Sequence, residues 1–144
     1  MVLAAILRKG KSILLNRKKS RENAFIVIFE SFFIKSTANQ LIKRSIEFEN
    51  LKFDSYAKKI IVGVLEKRQD LDTKIKTYLK KWELERISQI LIAILEISFY
   101  EILYVDDVDG PVSINEAVEL AKKYFGGDGP AFVNGVLGNF LKSV

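Results

Sequence analysis

Residues 84–105 read LERISQILIAILEISFYEILYV. A surface helix carries one apolar stripe, whereas this segment is apolar around most of its circumference. It therefore predicts a helix buried on nearly every side, against which the other helices pack. At about 100° per residue, Glu85, Gln89, Glu96 and Tyr100 fall within roughly 60° of one another, which assigns Glu96 to the outward stripe. The uncharged run inside the segment, Ile87 to Leu95, is half the length that a membrane span requires. It reads as the core of a soluble protein.

Outward from that helix, spacings of three and four recur and strict alternation is rare, an all-helical pattern. Towards the N-terminus the periodicity predicts a helix from about Ser20 to Lys35, with Ala24, Phe25, Ile28, Phe29, Phe32 and Phe33 on one core-facing stripe. A second helix is expected over Asn39 to Glu49. A third begins near Asp54 and Ser55 and runs through Tyr56, Ile60, Ile61 and Val64, and a fourth covers about Asp70 to Lys80.

Towards the C-terminus, Asp106, Asp107, Asp109 and Gly110 make an acidic turn. A metal site there is the alternative to ordinary turn chemistry, which already favours short polar residues. After Pro111, the Ser113 and Glu116 pair fits a capping box that opens a sixth helix, with Ile114, Ala117, Val118, Ala121 and Tyr124 on one face. Gly126, Gly127, Asp128 and Gly129 connect it to a last helix with Pro130 in its first turn and Phe132, Val133, Val136, Leu137 and Phe140 as its apolar stripe. This loop resembles a phosphate cradle only in glycine content, since no strand precedes it and no Lys with Ser or Thr follows. Gly135 and Gly138 inside the last helix point to close helix packing, because each costs about 1 kcal/mol relative to alanine. The expectation is an all-α chain, a compact orthogonal bundle of about seven helices.

The 144 residues suit a single domain, with 49% hydrophobic and 28% charged residues. Neither cysteine nor histidine occurs. Disulfides, thiolate chemistry, the commonest zinc ligand and every Ser-His-Asp or Cys-His arrangement are thereby closed off, and a reducing compartment, the cytoplasm, is expected. No cofactor motif is found, and no catalytic site is expected.

Charge is unevenly distributed. The net charge is +5, yet Arg8, Lys9, Lys11, Arg17, Lys18, Lys19 and Arg21 stand within the first 21 residues without one acid, while the rest holds 16 basic against 18 acidic residues. Such an end suits a polyanion, either nucleic acid or an acidic membrane surface, with a solvated basic tail as the plain alternative. Cations at a helix N-terminus oppose its macrodipole, and an RNA phosphate would offset that by accepting from the Lys and Arg side chains and from free backbone N–H groups of the first turn. With about five phosphates of single-stranded RNA neutralised, the log-log salt slope would be near −3.5. Sequence choice needs groups that stack on bases or bond their edges, for which Tyr124 and Phe132, flanking the loop that holds Asp128, are the candidates. Core packing is the alternative for Phe132, given its spacing with Val136.

Two C-terminal motifs narrow the reading. Pro111-Val-Ser-Ile-Asn115-Glu116-Ala-Val-Glu119-Leu-Ala-Lys122-Lys-Tyr124 and Phe132-Val-Asn134-Gly135-Val-Leu-Gly138 resemble the signature of the NusB family. The resemblance extends through Leu79, Lys81-Trp82 and the Ile94-Leu95 to Tyr100-Glu101-Ile102 stretch to Arg17-Lys-Lys-Ser-Arg21-Glu22-Asn-Ala24, about residues 17 to 142. It implies an all-helical transcription antitermination factor that binds boxA RNA of ribosomal-RNA leader transcripts together with ribosomal protein NusE, and helps RNA polymerase pass terminators. It further implies RNA contacts at Arg17, Lys18, Lys19 and Arg21 and at Tyr124, Asp128 and Phe132, with no metal. Residues 1–16 have no counterpart and read as an extension, 17–144 as the domain.

Departures from the family pattern lie at Leu91, Ile92 and Glu96 in the fifth helix, where an acid facing the partner is usual at the position of Leu91. Phe125 stands where glycine is common, and Ala131 where lysine is. Monomer and homodimer are both open. The same fold resembles the N-terminal domain of ribosomal-RNA cytosine methyltransferases, for whose methyl-donor domain the chain leaves no room. Two further alternatives are a metal-dependent enzyme built on Asp106, Asp107 and Asp109, and a dimerising or protein-binding module using Leu91 and Ile92 if exposed.

Overall fold

The computed structural model describes residues 15–144. Arg8, Lys9 and Lys11 lie outside the described residues, as does all of the 1–16 extension except Leu15 and Asn16. Among the described residues the chain forms six α-helices and no strand: α1 Arg17–Glu30, α2 Ala38–Glu49, α3 Ser55–Thr77, α4 Gln89–Tyr104, α5 Gly110–Tyr124 and α6 Gly129–Ser143, with one 3-10 turn at Leu84–Arg86. None of these helices is long and apolar enough to cross a membrane.

The segment 84–105 supplies the central element. α4 packs against α1, α3, α5 and α6, and every residue from Leu91 to Glu101 is buried. Ser88 starts the helix, its Oγ accepting from Ile90 N at 3.2 Å, so residues 84–86 form a separate turn rather than the first helical turn. Phe99 stacks on Phe140 of α6 at 3.9 Å between ring centroids. Gly63 of α3 lets Tyr100 approach closely, since a Cβ there would lie 2.2 Å from the Tyr100 ring.

The third and fourth expected helices are one 23-residue helix, α3. No Gly or Pro interrupts the polar stretch 66–70, and Arg68 turns inward there. The same Arg68 overturns the outward placement of Glu96, whose side chain is fully buried. Arg68 Nε donates to Glu96 Oε2 at 3.0 Å and Nη2 to Oε1 at 3.1 Å, a bidentate pair beneath α3. Burial and the neighbouring Asp72 carboxylate push the Glu96 carboxyl well above its usual range, against the pull of Arg68.

Three further expectations are corrected. α1 ends at Glu30 rather than near Lys35, and Phe33 is 63% exposed instead of lying in the core. Ser31 accounts for the stop: its Oγ donates to Ile28 O at 2.5 Å and accepts from Arg68 Nη1 at 2.9 Å, competing with the helical ladder. Ser113 caps nothing, because α5 already begins at Gly110 with Pro111 in its first turn. Its buried Oγ instead donates to Glu101 Oε1 at 2.7 Å. Gly135 and Gly138 are not packing glycines, since a Cβ at either would meet nothing within 4 Å.

Candidate nucleic-acid interface

The basic helix start is tied down by side-chain hydrogen bonds. Asn16 caps α1 with its Oδ1 accepting from Lys19 N at 2.8 Å, so that backbone donor is taken rather than free for a phosphate. Asp54, the cap of α3 through Ala57 N at 2.8 Å, also accepts from Ser20 Oγ at 2.7 Å and Leu15 N at 3.3 Å. One carboxylate thus pins the starts of both helices together. Arg17 lies over the Tyr56 ring, 3.7 Å from its centroid, and reaches Asp107 at 3.9 Å. Lys18 and Lys19 are exposed.

Arg21 departs from its expected role. It is 4% exposed, and its Nε donates to Glu101 Oε2 at 2.7 Å. The same Glu101 oxygen accepts from Tyr56 OH at 2.5 Å, and Ser98 and Ser113 complete the network at 2.8 Å. A guanidinium committed in this way, beneath α5, is not presented to a ligand in solvent. Burial and Glu101 push the Tyr56 hydroxyl upward, so it stays a donor.

Glu22, next in sequence, joins the helix start to the end of α5. Lys19 Nζ donates to its Oε1 at 3.3 Å, while Lys123 Nζ and, at 2.6 Å, Tyr124 OH donate to Oε2. Burial raises the Glu22 carboxyl, but hydrogen bonds from Lys123, Tyr124 and Lys19 outweigh it and hold the group down at about 2. Burial and the bond to Glu22 push Tyr124 up to about 12. The Tyr124 ring packs on Phe25 at 4.8 Å, so one edge is structural and its hydroxyl is pinned. Beside this cluster Lys18 and Lys123 line a small cleft with Glu116 and Glu119.

Asp128 and Phe132 belong to an adjoining groove rather than to the Glu22 cluster. Gly126 and Gly127 adopt φ of 81° and 51°, a left-handed turn that glycine accommodates without strain. That turn sets Asp128 at the start of α6, exposed and without a capping bond. The groove, about 180 Å³, is lined by Trp82, Arg86, Ile87, Leu91, Phe125, Asp128 and Phe132. Phe132 is half-buried, serving core and groove alike.

Leu91 and Ile92 are buried, so neither offers the exposed apolar contact that a docking or dimerising module would need. Lys123, Trp82 and Arg86 went unread as site residues. Trp82, the single tryptophan of the chain and an exposed one, was the available signal, whereas Lys123 gave none beyond adjoining Tyr124. Among the described residues no three Asp or Glu side chains are grouped to hold a metal ion.

Fold and surface together define an all-helical module with exposed cations at the start of α1 and the end of α5 and an aromatic-lined groove beside the α5–α6 connection. Residues 18–142 match the family model described as NusB family. A transcription antitermination protein NusB of Clostridium novyi (strain NT) is 44% identical over 134 residues, covering 90% of this chain and 100% of that relative. The solved T. maritima NusB superposes with a TM-score of 0.79 at 31% identity, over 90% of this chain and 93% of the other. A crystal structure of antitermination factors NusB and NusE in complex with dsRNA shares the fold at 24% identity, TM-score 0.79, over 89% of this chain and 97% of the matched one. The chain belongs to the NusB family.

Proposed function

We propose that this chain is a transcription antitermination factor of the cytoplasm that binds boxA-type RNA of ribosomal-RNA leader transcripts together with NusE and acts within the RNA polymerase antitermination complex, without a catalytic step of its own. One observation supports it most directly: in a chain of the NusB family, Glu22 draws Lys19 of the basic helix start and Tyr124, 102 residues beyond Glu22 itself, into one surface. Arg17, Lys18 and Lys19 serve phosphates there, and Arg21 holds the helix start from beneath. Phe132, with Trp82 and Phe125 across the groove, offers faces for unstacked bases, and Asp128 accepts from base edges. The domain that does this spans 17–144.

A fluorescence titration with boxA-type and scrambled single-stranded RNA, with and without NusE, tests the reading. With Arg17, Lys18 and Lys19 on phosphates, the log-log salt slope is about −2.1, and raising salt from about 50 to 200 mM weakens binding about twentyfold. Changing Arg17, Lys18 and Lys19 together to Ala removes binding and leaves helicity by circular dichroism unchanged. Equal affinity for both RNAs with no gain from NusE overturns the assignment.

A further inference from the structure

Resting on that RNA-binding reading, we propose that Glu22 is a positioning residue which sets Lys19 and Lys123 as a matched pair of phosphate donors, making Lys123 a contact residue. The Glu22 side chain is 11% exposed, while those of Lys19 and Lys123 are 54% and 62% exposed. The carboxylate therefore lies beneath the surface and the two ammonium groups at it. Each ammonium has three N–H donors and spends one on Glu22, keeping two for a ligand above. Without an anion between them, two cations drawn to the same carboxylate would repel and spread. The oxygens are also divided, with Lys19 on Oε1 and Lys123 on Oε2, so the carboxylate acts as a spacer as well as a counter-charge.

Tyr124 adds a reason for this cluster being more than a helix clamp. Its hydroxyl shares Oε2 with Lys123, and the hydroxyl bond fixes the carboxylate plane on which both lysines depend. Lys18 lines a cleft with Lys123 that the carboxylates of Glu116 and Glu119 also border, while Lys122 is drawn to Glu119, at 3.2 Å. Of the two adjacent lysines at the end of α5, only Lys123 faces the α1 cations.

The test compares full-length wild type, Glu22→Gln, Lys123→Gln and Lys123→Arg in titrations with single-stranded boxA-type RNA plus NusE across a salt series, alongside thermal unfolding. Lys123→Gln makes the salt slope shallower by about 0.7, Lys123→Arg restores it, and Glu22→Gln, which releases both lysines, makes it shallower by about 1.4. Binding by Glu22→Gln is weaker, although the variant is one unit more positive. A Glu22→Gln protein that melts earlier yet keeps the wild-type slope, or binds RNA more tightly, shows a helix clamp or a competing anion and overturns the proposal. Lys123→Gln is an exposed change and stays informative should Glu22→Gln fail to fold: an unaltered slope overturns the contact. Wild type that binds RNA while all variants match it sinks this inference alone, whereas wild type that fails to bind sinks the functional reading with it.

Discussion

Arg21 and Glu22 are neighbours on α1, yet they anchor two charge networks of opposite character. Arg21 points inward to Glu101, which also accepts from Tyr56 and Ser113, and Ser98 hydrogen-bonds in turn to Ser113. Glu22 points towards Lys19, Lys123 and Tyr124, and its cationic partners are more than half exposed. In the interior network both charges are out of water and each depends on the other. In the outer one the lysines keep their hydration and remain open to another anion. The difference teaches how one helical turn can serve the fold with one side chain and a ligand surface with the next.

The largest effect should come from breaking the inner network. Arg21→Ala leaves the Glu101 carboxylate buried without its cation and should cost about 3–5 kcal/mol, read from urea denaturation. Replacing Arg21 and Glu101 together by apolar residues of similar volume should cost less than Arg21→Ala alone, because no stranded charge remains. Equal losses would mean that packing, and not charge, governs the site. The Lys19–Glu22 pair, whose ammonium stays more than half in solvent, contributes about 0–1 kcal/mol, so Lys19→Ala should barely move the midpoint.

A smaller effect separates the outer network from a third carboxylate by pH. Glu22 is held down at about 2 from 4.5, its burial outweighed by Lys123, Tyr124 and Lys19. Its stabilisation is therefore present above pH 4.5 and lost as pH falls towards 2. Glu30 is raised to about 7 from 4.5 by burial and the facing Glu49. The folded state then holds more protons than the unfolded one between these values, so stability declines as pH rises from 4.5 through 7. Unfolding titrations should show Glu22→Gln flattening the acid limb and Glu30→Gln flattening the decline from 4.5 to 7. Each substitution acting on the other limb would disprove the assignment.

What the sequence showed and what it hid follow the same division. The buried central helix, the glycine-rich connection and the last helix after Pro130 were legible, because apolar periodicity and Gly and Pro punctuation are local signals. Arg21 and Glu96 were not. A charged residue in a periodic pattern reads as solvent-facing, and the partners that draw these inward lie 80 and 28 positions away in sequence. Phe33 was misplaced because the signal ending α1 is the Ser31 hydroxyl and not a Gly or Pro. The halves of the candidate interface were both visible as residues, but the Glu22 bridge that joins them spans about a hundred positions and has no local signature.

A small gain supplies the baseline for the two networks. Gly138 lies inside α6, where a Cβ would meet nothing within 4 Å. No positive φ requires glycine there. Substitution by alanine thus adds no clash, while it removes backbone freedom from the unfolded chain. Gly138→Ala should raise stability by about 0.5–1 kcal/mol. Because the residue contacts neither the Arg21 nor the Glu22 network, the salt slope of RNA binding should stay at its wild-type value. A stabilised variant with a changed slope would show that RNA binding follows global stability, and the contrast between an inner network for folding and an outer one for the ligand would then collapse.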